Sequence, residues 1–104
     1  MRDICQGDVV RVGGFGKTLF VVTSKNAFIK ATGYLHVCPM LADAEAGPIH
    51  IVVKGKKNTF GTVICEQVKL IDPVARGINR IDRLSYDDVM NISDVIQGIF
   101  EAIL

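Results

Sequence analysis

The sequence predicts a mainly β fold, a small barrel or sandwich, with one helix packed on it at the C-terminal end. Three observations predict it. Short runs rich in Val, Ile, Phe and Thr recur along residues 9–71, each bounded by Gly, Pro, Asn or Asp. No stretch between them carries a helical pattern of crossover length, which disfavours a parallel sheet. Towards the C-terminus, apolar residues recur at spacings of three and four.

The elements follow in order. Val9, Val10 and Val12 form the first strand after Gly7-Asp8, and Gly13-Gly14 predicts a hairpin turn. Residues 18–23 are β-branched and aromatic and predict the second strand, and Lys25-Asn26 reads as the next turn. Residues 33–38 predict a strand that stops at Pro39. Further strands fall on residues 49–53 after Gly47-Pro48, 62–65 after Gly61, and 68–71 before Pro73. A single helical turn is expected at residues 72–77, with Asp72 as N-cap, Pro73 at the first position and Gly77 at the end. In the last helix, Ser85 and Asp88 approximate a capping box and Leu84 can staple onto Val89. Val89, Ile92, Ile96, Ile99 and Ile103 then form a stripe that should lie on the barrel.

A chain of 104 residues, 49% hydrophobic and 22% charged, is expected to form a single domain over residues 1–104. Apolar runs such as residues 19–22 are far too short to cross a membrane. The opening Met1-Arg2-Asp3-Ile4-Cys5 carries both signs of charge and no apolar core, so a cytoplasmic protein without a leader is expected. The net charge is +1, but it is unevenly spread: residues 1–80 hold 11 Lys and Arg against 6 Asp and Glu, residues 81–104 hold 1 against 5. A mildly basic body of this kind suits an anionic ligand. Cys5, Cys38 and Cys65 are odd in number and widely spaced, which favours reduced, buried thiols over disulfides. His36 and Cys38 would share a strand face, but no second ligand pair has metal-site spacing, so no metal is expected. His50 stands alone in the sequence.

Two local patterns could carry chemistry. Gly13-Gly14-Phe15-Gly16-Lys17-Thr18 ends like a phosphate loop, yet it lacks the earlier glycine and the following helix of the Walker pattern. It reads as a hairpin turn that presents Lys17 at the mouth of a strand. Glu66-Gln67 interrupts two apolar runs, either as a bulge or exposed face, or as a carboxylate and an amide aimed at a ligand.

Residues 61–77, Gly-Thr-Val-Ile-Cys-Glu-Gln-Val-Lys-Leu-Ile-Asp-Pro-Val-Ala-Arg-Gly, resemble the C-terminal signature of PemK/MazF-type toxins. Gly7-Asp8-Val9-Val10, residues 19–23 and Val37-Cys38-Pro39 with Gly47-Pro48-Ile49-His50-Ile51 resemble the family's earlier strands. The resemblance implies a compact SH3-like β-barrel, mainly β (α+β), forming a homodimer. It implies an endoribonuclease that needs no metal or cofactor and cuts single-stranded mRNA. The 2′-OH attacks the phosphate and leaves a 2′,3′-cyclic phosphate and a 5′-OH end. It also implies a cognate antitoxin peptide threaded across the dimer groove.

Carried over by position, Glu66 is the family acid and the implied base. Lys17 is the implied phosphate clamp, with Thr18, Gln67 and Arg76 as further RNA contacts. The chain departs from the family where Lys17-Thr18 stands for Arg-Pro and where Leu41-Ala42 stands for hydroxyl residues, and its first loop shrinks to residues 13–15. Lys keeps the charge but not the planar fork of Arg. Two readings follow: an active toxin ribonuclease in which Lys17 and Glu66 outrank either histidine, or a catalytically impaired barrel that binds RNA, DNA or a protein.

Overall fold

Strict alternation of side chains along a strand sends neighbouring residues to opposite faces, and here both faces are buried. In the computed structural model, which describes residues 3–100, the central strands are β1 (Asp8–Val12), β2 (Leu19–Val22) and β3 (Leu35–Leu41). Val9, Val21, Cys38 and Met40 enter one core, together with Leu84 and Ile92. Val10, Val12, Phe20, Val22, Leu35 and Val37 enter a second. Two buried faces explain why these strands read as continuous apolar runs.

The remaining elements are α1 (Asn26–Thr32), β4 (His50–Lys54), β5 (Phe60–Ile64), β6 (Lys69–Ile71), α2 (Pro73–Arg76), β7 (Ile78–Arg83) and α3 (Tyr86–Phe100). All pairings are antiparallel, in the order β4-β5-β3-β2-β1-β7, and β6 pairs with the first half of β3. The path curls without closing into a barrel ladder. Its ends meet instead at the β4–β5 turn, where the Lys56 N–H donates to the Arg83 carbonyl at 2.9 Å.

Several expectations are corrected. β3 does not stop at Pro39: Pro39 pairs with Phe20 on one edge. On the other edge it falls between the last residue paired with β6 and the first paired with β5, where its missing N–H is tolerated. The turn expected at Lys25-Asn26 opens α1, which ends at Gly33 in the left-handed conformation, its N–H bonded to the Ile29 carbonyl. β7 was not expected at all. Val9 faces Asp82 and Val10 faces Arg80, so Ile81 is an extra, bulged residue that breaks the alternation. Both helix caps match expectation: Asp72 accepts from the Val74 and Ala75 N–H groups, and the Ser85 hydroxyl accepts from the Asp88 N–H. Ile92 of α3 is buried and Val89 and Ile96 pack beside it, but Ile99 is 37% exposed. Ile103 lies outside the described residues.

Candidate nucleic-acid interface

Glu66 occupies the turn between β5 and β6, held by the Gln67 N–H bonded to the Ile64 carbonyl at 3.1 Å. The β4–β5 register sets His50 opposite Ile64, within reach of Glu66. The His50 Nε2 lies 3.0 Å from both oxygens of the Glu66 carboxylate. The side chains are 33% and 39% exposed, so the pair is open to a ligand. The hydrogen bond from His50 holds the Glu66 carboxyl below the usual carboxylate range, helped by a backbone N–H and opposed by slight desolvation. An ionised carboxylate only accepts, so Nε2 is the nitrogen that donates to Glu66, and in the corresponding uncharged tautomer the lone pair lies on Nδ1. Sequence reasoning treated His50 as isolated; the fold makes it the partner of Glu66. Gln67 sits beside them, exposed.

The cations gather elsewhere. Lys17 is exposed in the β1–β2 turn, and Thr18 is tied into that turn by its N–H bonded to the Phe15 carbonyl at 3.3 Å. Arg76, at the end of α2, folds onto the same turn. Its guanidinium carbon lies 5.1 Å from the centre of the Phe15 ring, which rests edge-on against Phe20. Glycine at 13 is required by this approach, since a Cβ there would overlap the Arg76 carbonyl oxygen. Arg11, Gly13, Gly14, Gly16, Arg76 and Asn79 line a cleft of about 410 Å³. Arg76 is thus fixed against the turn that carries Lys17.

The fold does not join Lys17 to Glu66. Leu19, Met40 and Val63 share one row across β2, β3 and β5. From that row Lys17 lies towards the C-terminal end of β3, in the β1–β2 turn, and Glu66 lies the other way, in the turn that carries the chain from β5 to β6. The two therefore sit in different turns of the fold. Among the described residues no hydrogen bond or ion pair links them.

His36 stacks on Phe28, ring centres 4.9 Å apart, as a packed histidine. Cys38 and Cys65 are buried. Burial, then the neighbouring Cys65, pushes the Cys38 thiol up to about 12; burial, then Glu66, pushes Cys65 to about 11. Both are inert thiols at neutral pH. Among the described residues no three His, Cys, Asp or Glu side chains could hold a metal ion together. Nor is any described helix long and apolar enough to cross a membrane.

Residues 5–100 match the family model of the PemK-like, MazF-like toxin of type II toxin-antitoxin system, and the chain belongs to that family. The fold is also that of solved MazF chains. A MazE–MazF complex from Deinococcus radiodurans aligns at TM-score 0.83 and 17% identity, over 95% of this chain and 97% of that one. A second crystal form gives 0.84 and 16%, over 99% and 100%. An endoribonuclease in complex with its cognate antitoxin, from a mycobacterial species, gives 0.77 and 15%, over 92% and 93%. A search of curated protein sequences returns no match.

Proposed function

We propose that this toxin is an endoribonuclease that cuts single-stranded RNA at the His50–Glu66 pair. The observation that carries the reading is that pair: an exposed imidazole held through Nε2 by an ionised carboxylate at the family's acid position. Glu66 fixes the ring so that Nδ1 accepts the proton of the ribose 2′-OH, and the carboxylate stabilises the imidazolium that forms. The 2′-oxygen bonds to phosphorus, the P–O5′ bond breaks, the 5′-oxygen takes a proton from solvent water, and the imidazolium returns its proton to solvent. The products are a 2′,3′-cyclic phosphate and a 5′-OH end. Glu66, the base on sequence grounds, becomes the group that positions the base. Lys17, Thr18, Gln67 and Arg76 hold the strand, the two cations gripping phosphates.

The relatives support the biological setting: MazE–MazF complexes and a mycobacterial endoribonuclease with its antitoxin favour an antitoxin partner for this chain. A homodimer is part of the reading, as the family resemblance implies, and the apolar side chains of Val52, Phe60 and Leu70, 45%, 58% and 58% exposed, are candidates for its interface.

The test is incubation of the protein with a long single-stranded RNA in EDTA, followed by mapping of the ends. Cyclic-phosphate ends that vanish in His50→Ala and Glu66→Gln support the reading; uncut RNA overturns it. The separation of Lys17 from Glu66 favours a second reading, a non-catalytic barrel that binds nucleic acid or protein, which uncut but bound RNA would support.

A further inference from the structure

The β4–β5 turn and β7 build a second cluster of cations outside the residues described so far. Lys56, Lys57, Arg80 and Arg83 line a cleft of about 260 Å³ with Asp82 at its base. Asp82 is buried, and its carboxylate is spent on backbone groups: it accepts from the N–H of Lys57 at 2.9 Å, Thr59 at 3.1 Å and Arg83 at 2.7 Å. Asp8, fully buried, accepts from Arg83 Nε at 3.0 Å and lies 3.6 Å from Arg80 Nη1. The two carboxylates therefore hold the turn and one side of each guanidinium. The remaining guanidinium N–H groups and the Lys56 and Lys57 side chains are left for a ligand. Four cations against the carboxylates of Asp8 and Asp82 leave a local excess of +2 round a small polar hollow, on a chain of net charge +1, which suits an anion.

We propose that this cleft binds a phosphodiester of the RNA strand, a contact apart from the His50–Glu66 pair that extends the grip beyond the cleaved nucleotide. The inference rests on the RNA reading above. The two guanidinium groups are pre-set by the buried Asp8, so little ordering of them is needed on binding. The hollow, lined by charge and not by aromatic rings, suits a phosphate and not a base.

The test is a titration of the 15N-labelled full chain with a 2′-O-methyl single-stranded RNA that cannot be cut, with inorganic phosphate as a second arm. Amide shifts at Lys56, Lys57, Thr59 and Arg83 alongside those at His50 and Glu66 are expected. The exposed pair Lys56→Ala/Lys57→Ala should weaken binding about tenfold. Its log K against log salt slope should flatten by about 1.4, as for two lost phosphate contacts on a single strand. Shifts at His50 and Glu66 with none at the turn overturn the cleft and leave the RNA reading standing. No shift anywhere overturns both. Equal affinity for inorganic phosphate and the oligonucleotide overturns the strand contact in favour of a free-phosphate site.

Discussion

Replacing Asp82 tests the link that ties the β4–β5 turn to β7. Its carboxylate, 3% exposed, accepts three backbone N–H bonds, from Lys57, Thr59 and Arg83. Bonds to a charged acceptor contribute about 1.5–3 kcal/mol each, and water can recover part of that at a surface turn. Asp82→Ala should therefore cost about 3 kcal/mol. In a domain of this size that lowers Tm by about 12–24 °C. Asp82→Asn keeps one oxygen for Lys57 and Arg83 but turns an amide N–H towards that of Thr59, and should cost about 1–2 kcal/mol. Gly55→Ala reaches the same link from the other side, because its Cβ would overlap the Asp82 carboxylate.

The assay for these variants is urea and thermal unfolding at pH 7 and pH 3. Burial raises the Asp82 carboxyl, but its bonds from Thr59, Arg83 and Lys57 outweigh that and hold it below its ordinary 3.8. The unfolded chain then binds the proton more readily. The stabilisation is complete above the ordinary value and is lost as pH falls through the lower folded one. Wild type and Asp82→Asn should converge in acid. A loss under about 1 kcal/mol for Asp82→Ala at pH 7 would refute the reasoning.

Other outcomes follow from the same contacts. Glu66→Gln and His50→Ala should each lower cleavage by about 10²–10⁴ with RNA affinity retained, read by single-turnover rates against filter binding. Ile92→Ala should cost about 2–4 kcal/mol while Ile99→Ala changes stability by about 0.5 kcal/mol or less, read by urea titration. Cys38 and Cys65 should resist alkylation at pH 7.5 in the folded protein and react at once in urea, followed by mass spectrometry.

Where local chemistry decides an element, the sequence already carries it. The six strands up to Ile71 are visible because valines and isoleucines lie between glycine and proline punctuation, and the two caps because Asp72 and Ser85 act within four residues. β7 is hidden by one bulged residue: with Ile81 inserted, Ile78 and Ile81 fall three apart and mimic a helix. α1 is hidden because none of its residues is buried, so it has no strong apolar stripe. The His50–Glu66 pair depends on register. A hairpin centred on Lys57 sets residue 50 opposite 64, and the Gly55–Asn58 turn was the signal that could have located that centre. Asp82 was missed because two of its three partners, the Lys57 and Thr59 N–H groups, lie 25 and 23 residues away, which no motif records.

The separation within the site assigns different kinetic roles to its two halves. Among the described residues no hydrogen bond or ion pair joins Lys17 to His50 or Glu66, and exposed charges out of contact are screened by salt, with a Debye length of about 8 Å at physiological ionic strength. Lys17 of the same protomer therefore stands outside the pair that carries the proton transfer in this reading. It can grip a phosphate further along the same strand, a contact made equally in the ground state and the transition state. Arg76, fixed over Phe15 on the same turn, shares that duty. Lys17→Ala should then raise KM and flatten its salt dependence by about 0.7 in slope while kcat holds. Glu66→Gln should do the reverse, lowering kcat with KM little changed. Steady-state cleavage of a short RNA at several salt concentrations separates the two. A Lys17→Ala enzyme with wild-type KM and a kcat reduced as far as that of Glu66→Gln would place the cation at the reacting phosphate and break this division of labour.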